Sequence, residues 1–321
     1  MKTQIVYVVI GDKENYYVEE SFLSISSLRL YNPDAVVTLL VDNKTALYIK
    51  TEWQILIDLI NNLKIIDVPD SYTPKEISRY IKTSVRFNVE GDYLFLDTDT
   101  IITCSLDGVD HITGDINCVL DHHLDFQRSF VYDKVCKKLL DVFQVDVSNA
   151  TKYFNSGVML VKDNEFAHKF YKCWHENWQY ANNKNVVYDQ IALIKTDYDF
   201  DYAIKEMDGA YNSQVLTSIE YMSSAKILHF FQTNYFPDFR ISPFVGEPLY
   251  KKIREEHGIN GEIIQMIGNV KNLFPSPSFM IGYNEFAFLT SDVGKLYRKL
   301  YEKNSLLNKI FSLFSRCLNT K

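Results

Sequence analysis

Two carboxylates one residue apart, Asp97 and Asp99, close the apolar run Tyr93-Leu94-Phe95-Leu96 and lead into Thr100-Ile101-Ile102. If the run is a buried strand, residues i and i+2 share a side, and the two acids converge on one point. Two negative charges at one point suit a hard cation such as Mn²⁺ or Mg²⁺. Such ions commonly complete their shell with phosphate oxygens of a substrate, so a phosphorylated ligand is implied. The alternative is a strand ending in a solvated turn, where Asp and Thr are ordinary residues.

The elements around this motif alternate. Gln4 to Ile10 is a strand-like run, and Tyr16 to Tyr31 is helical and stopped by Asn32-Pro33-Asp34. Val36 to Val41 is a second strand and Thr45 to Ile60 a second helix. Leu63 to Val68 is a third strand, and Lys75 to Asn88 a helix that delivers the chain to the acidic motif. Strand and helix in alternation predict an α/β fold, a Rossmann-like mixed sheet with helices on both faces. Ligands of such sheets sit beyond the carboxyl ends of strands, where Gly11-Asp12, Asp42 and Asp97-Thr98-Asp99 all fall. No GxGxxG follows the first strand and no GxxxxGK[ST] occurs, so phosphate has to be held by metal and side chains.

Further along, Ile116 to Leu120 is a short strand followed by Asp121-His122-His123, and Tyr153 to Val161 is a turn feeding another strand. Glu165 to Asn182 is a helix with Phe166, Phe170, Trp174 and Trp178 on one side, and Val186 to Gln190 opens a helix running through Ile194.

With 321 residues and 46% apolar composition the chain can bury a large core. A formal charge of −7 argues against a general nucleic-acid binder. The five cysteines, Cys104, Cys118, Cys136, Cys173 and Cys317, have no metal-type spacing and read as free thiols of a reducing compartment. The run Ile5 to Ile10 is too short for a signal segment and no run reaches membrane-spanning length, so a cytoplasmic protein is expected. From Lys295 to Lys321 there are seven Lys or Arg against the single acid Glu302, and Leu307, Ile310, Phe311, Phe314 and Leu318 recur at helical spacing. Such a basic amphipathic tail suits peripheral contact with an anionic membrane, or docking on the domain or on a second subunit.

Taken in order, Asn15-Tyr16, Tyr93 to Thr100, Tyr-Phe-Asn-Ser-Gly-Val-Met-Leu at 153 to 160, Asp189-Gln190 and Leu228-His229-Phe230 resemble the landmarks of family 8 glycosyltransferases. These are retaining enzymes of the GT-A fold, related to lipopolysaccharide galactosyltransferases and glycogenin. The resemblance covers residues 4 to 235. It implies a catalytic domain over residues 1–240, with 241–321 as a helical extension. It also implies Mn²⁺ (or Mg²⁺) on Asp97, Asp99 and His229, and transfer of a hexose from a UDP-sugar to a glycan or glycolipid of a bacterial surface.

Donor contacts implied by the resemblance are Ile10, Asp12 and Tyr16, the last two near the base. They further include Arg79 or Lys82 toward the phosphates or sugar, Thr98 near the ribose or metal, and Asn155 near the donor sugar. Asp189, Gln190 and Asp121 are the candidates beside the reacting sugar, although Asp189 also reads as a helix N-cap. His122 and His123 are either acceptor contacts or surface histidines. The pattern departs after His229, where Gln232 and Tyr235 stand at the family's Gly and phosphate-binding Lys. Either another base such as Arg240 or Lys251 substitutes, or the donor is bound more weakly or differently. Two other readings stay open: a haloacid dehalogenase-like phosphatase with Asp97 as nucleophile, and a sugar-nucleotide binder without turnover.

Overall fold

A computed structural model of the chain describes residues 1–215, 217–231, 244, 247–272, 283–301 and 305–318. Gln232, Tyr235 and Arg240 therefore lie outside the described residues. Ten strands are present among those described: β1 (Gln4–Val8), β2 (Val37–Val41), β3 (Asn62–Ile65), β4 (Tyr93–Leu96), β5 (Thr100–Ile102), β6 (Ile116–Leu120), β7 (Phe154–Val161), β8 (Lys205–Glu206), β9 (Ser213–Gln214) and β10 (Ile227–His229). Seven form one sheet in the order β3-β2-β1-β4-β7-β6-β8. The β3-β2-β1-β4 half is parallel, and β7 runs antiparallel to both β4 and β6. The expected mixed α/β sheet is thus present.

Alternation along the central strands divides the core between two faces. Ile5, Tyr7, Leu94, Leu96, Val158 and Leu160 pack with the helix Tyr17–Tyr31. Val6, Val8, Tyr93, Phe95, Met159 and Val161 pack with Ile81, Phe170, Trp174 and Trp178 from the helices Pro74–Thr83 and Glu165–Asn182. Leu249, Tyr250, Ile253, Ile263 and Ile267, from the helices Glu247–Glu256 and Gly261–Gly268, belong to the first of these cores.

A small second sheet, β5-β10-β9, carries the feature that matters most for the site. β10 pairs antiparallel with β5, setting His229 opposite Thr100, and the Phe230 N–H donates to the Asp99 carbonyl at 2.8 Å. The pairing register brings a residue 130 positions downstream beside the acidic motif. The helix Tyr17–Tyr31 is clamped between the two sheets. Ser24 shares hydrogen bonds with Tyr7 (3.0 Å) and Thr100 (2.9 Å), and the Ser27 hydroxyl accepts the Ile102 N–H at 2.9 Å.

Several expectations change. Asp97, Thr98 and Asp99 lie on the turn between β4 and β5, so the i, i+2 strand argument does not apply to them. The helix expected from Thr45 to Ile60 is two, Asn43–Glu52 and Gln54–Leu59, broken at the buried Trp53. That from Lys75 to Asn88 starts at a Thr73/Glu76 capping box and breaks at Ser84 into Pro74–Thr83 and Val85–Asn88. The helix opening at Asp189 runs on to Asp199, and a helix over Tyr132–Phe143 has no counterpart in the sequence reading. Among the described residues beyond 282 come the helices Tyr283–Thr290, Asp292–Tyr301 and Leu306–Leu318. Among the described residues no helix is long and apolar enough to cross a membrane.

Candidate metal and donor site

At the carboxyl ends of β1 and β4, one ligand atom each from Asp97, Asp99 and His229 lie within 4.8 Å of one another. The turn points the two acids, and β10 delivers the imidazole. Asp99 Oδ1 and His229 Nε2 are buried and face each other at 3.1 Å as an ion pair, but neither atom makes a well-aligned hydrogen bond. Buried polar atoms are ordinarily well hydrogen-bonded, so an oxygen and a nitrogen left with only each other can turn together to one cation. Two hard oxygens and one imidazole nitrogen fit Mn²⁺ or Mg²⁺.

Burial disfavours charge on both groups, but the Asp99–His229 attraction outweighs it. It holds the Asp99 carboxyl below its ordinary pKa and the imidazole above its own. A bound dication would take the place of that imidazole proton.

A chain of hydrogen bonds fixes which imidazole nitrogen faces the acids. It starts at a backbone group whose polarity is certain: the Gly157 N–H donates to Asn155 Oδ1 at 2.9 Å. Asn155 Oδ1 therefore accepts from Asn212 Nδ2 as well (3.0 Å), leaving Asn212 Oδ1 to accept from His229 Nδ1 at 2.9 Å. Nε2 is then the nitrogen with a lone pair for a metal. The other end of Asn155 donates to Asp121 Oδ1 at 3.0 Å. Asp121 Oδ2 lies 3.2 Å from His122 Nε2, and His122 Nδ1 pairs with Thr217 at 3.0 Å.

His122 and His123 are not surface residues: His122 is buried, and burial pushes the pKa of His123, whose Nε2 accepts the Gln214 N–H, down to about 4. Gly157 makes room for the whole arrangement. A Cβ there would stand 2.3 Å from His229 Cε1 and 2.9 Å from Asp97 Oδ2.

Behind the turn sits a buried cluster of charges. Lys82, 3% exposed, places Nζ 3.0 Å from Asp97 Oδ1, 3.3 Å from Asp189 Oδ2 and 3.2 Å from the Ser156 hydroxyl. Arg79, with 28% of its side chain exposed, pairs with Asp189 Oδ1 at 3.0 Å, and Ser156 donates to Asp189 Oδ2 at 2.7 Å. Burial alone would raise the Asp189 carboxyl. Lys82, Arg79 and Ser156 overcome that and hold it below the usual carboxylate range. Asp189 is the first residue of its helix rather than the cap, which is Tyr188, so the N-cap reading falls. Its side chain pairs with two cations, one of which, Lys82, also pairs with Asp97 of the candidate metal group.

The other expected positions are spread around this centre. Thr98 donates to buried Glu20, and Gln190 donates to the Phe154 carbonyl at 3.1 Å. Asp12 pairs with Lys44 at 2.8 Å and accepts from the Glu14 N–H, which shapes the loop after β1. Ile10 is partly buried against the core, and Tyr16 lies against the helix Glu247–Glu256. Lys251 is exposed and 3.9 Å from Glu255. Asn212, Ser156 and Glu20 were not foreseen as site residues. For Glu20 a signal existed: Glu19, Glu20, Ser21, Ser24, Ser26 and Ser27 fill a helix too polar for its burial unless those groups have partners.

No protein-family model and no curated protein matches the sequence. Solved structures do match. The galactosyltransferase LgtC in complex with donor and acceptor sugar analogs superposes with a TM-score of 0.51 at 14% identity, over 82% of this chain and 99% of that one. An active-site mutant of LgtC gives 0.53 at 14% identity, over 83% and 99%. The fold is that of GT-A glycosyltransferases. GlyE of Streptococcus pneumoniae TIGR4 also matches, at 16% identity and a TM-score of 0.49, and the chain spans 66% of that protein's length. In the GT-A fold found here three parallel strands precede the acidic motif, whereas a haloacid dehalogenase-like phosphatase opens its domain with it, and that alternative is set aside.

Proposed function

We propose that this chain is a metal-dependent retaining glycosyltransferase of family 8 that moves a hexose from a UDP-sugar to a glycan or glycolipid acceptor in bacterial surface polysaccharide synthesis. The observation that supports the reading is the convergence of Asp97, Asp99 and His229 ligand atoms within 4.8 Å at the strand mouth of a GT-A fold. When bound, Mn²⁺ or Mg²⁺ would supply positive charge where negative charge gathers on the departing nucleotide diphosphate.

The chain's own residues do the rest. Arg79, part of whose side chain is exposed, is the cation available to donor phosphate or sugar, while buried Lys82 sits between Asp97 and Asp189 and holds them close. Asp189, Asn155 and Asp121 are assigned to the transferred sugar, a role compatible with the Asn155–Asp121 and Ser156–Asp189 hydrogen bonds, and Gln190 braces the Phe154 end of β7. Asp12 and Tyr16 line the loop assigned to the base. The tail from Ser305, with Leu306, Ile310, Phe311 and Leu313 exposed on a helix, is assigned to the surface of an anionic membrane on the cytoplasmic side.

Nucleotide sugars screened for hydrolysis with and without Mn²⁺ test the proposal. Metal-dependent release of UDP from one hexose donor is expected. Absence of both hydrolysis and binding refutes it, and binding without turnover would favour a sugar-nucleotide binder.

A further inference from the structure

Three residues on one side of the helix Glu247–Glu256, spaced i, i+3 and i+7, meet the loop that follows β1. Glu247 accepts from the Tyr16 hydroxyl at 3.4 Å, and the Tyr250 ring lies 6.2 Å from that of Tyr16. Arg254 does most. Its Nη1 donates to the Lys13 carbonyl at 2.9 Å, Nη2 donates to the Asn15 carbonyl, and Nε pairs with the fully buried Glu19. Its guanidinium carbon also stands 4.3 Å above the Tyr16 ring. One planar fork therefore holds two backbone carbonyls, one carboxylate and one ring face, a set that a lysine ammonium cannot reproduce.

The loop so held stands beside the metal group. β1 and β4 are adjacent and parallel, with Tyr7 opposite Leu96, so residues 11–16 and 97–99 leave the sheet at the same edge. Its other end is pinned by Thr45, which accepts the Gly11 N–H at 3.0 Å, and by the Asp12–Lys44 pair. A loop fixed at both ends presents a binding surface already formed, and the ordering cost does not fall on the ligand.

We propose that Arg254 is a positioning residue for the donor. From a helix beyond every landmark shared with family 8, it holds the 11–16 loop in the shape that receives the nucleotide base. The proposal rests on the donor reading above. In consequence, donor affinity depends on a part of the chain outside the domain expected to carry it.

The test measures UDP binding by calorimetry with Mn²⁺ present, for wild type, Arg254→Lys and the charge-balanced double variant Glu19→Gln/Arg254→Met. Amide hydrogen exchange over residues 11–16 without nucleotide runs in parallel. Lysine keeps a cation for Glu19, and the double variant leaves no buried charge unpaired, so at least one is expected to fold. UDP affinity should fall about tenfold in each folded variant, the cost of ordering a freed loop. Loop amides should exchange faster, KM for donor should rise with kcat kept, and Mn²⁺ affinity should stay at the wild-type value. A variant that only melts earlier, with UDP affinity intact, overturns the proposal. Wild-type protein that binds no UDP overturns the donor reading itself and the proposal with it.

Discussion

Replacing Gly157 with Ala tests whether the three ligands converge because β7 leaves them space. The strand is hydrogen-bonded there, with the Asp97 N–H on the Gly157 carbonyl at 2.7 Å, and the backbone is not in the left-handed region, so alanine suits it conformationally. The obstacle is steric. The new Cβ would stand 2.3 Å from His229 Cε1, and ordinary carbon contact is about 3.5 Å, so the ring must retreat by roughly 1 Å. Asp97 Oδ2 and Asn155 Oδ1, both at 2.9 Å, must yield by about half as much. Metal–ligand distances tolerate about 0.2 Å, so the ring's displacement is several times what a divalent site accepts.

Mn²⁺ affinity is expected to fall about 10- to 100-fold, the range seen when ligands lose their orientation, with about 1–3 kcal/mol of stability lost to overpacking. Free Mn²⁺ measured by electron paramagnetic resonance, with UDP present and absent, gives the first quantity, and thermal melting of the metal-free protein gives the second. If Gly157→Ala binds Mn²⁺ as wild type does and melts at the same temperature, Asp97 and His229 do not meet at this strand.

Asp97→Asn and Asp99→Asn should abolish metal-dependent hydrolysis while leaving the fold, with His229→Ala milder and seen as a raised Mn²⁺ requirement; full activity of Asp99→Asn at limiting Mn²⁺ excludes the assignment. Asn212→Ala should also raise the Mn²⁺ requirement, about 10-fold or more, because the His229 tautomer is no longer set; an unchanged Mn²⁺ titration refutes that role. Asp189→Asn should lower kcat more than donor affinity, and kinetics with an unchanged kcat rule out its part in turnover.

Burial pushes Asp197 up from the ordinary 3.8 to about 6, so its stability contribution is complete below pH 4 and is lost as pH rises through 6. That amounts to about 3 kcal/mol. The stability gap between wild type and Asp197→Asn should shrink by that amount from pH 4 to pH 7 in urea titrations, and a gap independent of pH refutes it. Deleting residues 305–321 should release the protein from anionic vesicles at low salt without affecting hydrolysis, and full-length protein that ignores such vesicles removes the membrane assignment.

What could be read in the sequence was set by how far apart the interacting residues are along the chain. Apolar runs and helix stops specify β1, β2, β4 and the helix Glu165–Asn182, because burial and capping act within a few residues. The acidic pair was legible as a cation site, though through the wrong geometry: a turn, not a strand, aims Asp97 and Asp99. His229 entered only by resemblance, since nothing near it in sequence foretells the β5–β10 register that sets it against Thr100.

The same holds for its support. Asn212 reaches His229 across 17 residues, Asn155 reaches Asn212 across 57, and Lys82 reaches Ser156 across 74. Each of these contacts joins separate strands or helices, so no periodicity encodes it. It follows that the polar groups behind the ligands depend on the fold more strictly than the ligands do. A change at Gly157 or Asn212, neither of which would touch metal or donor, should therefore disturb the Mn²⁺ requirement, whereas a change at exposed Lys251 should leave it as it is.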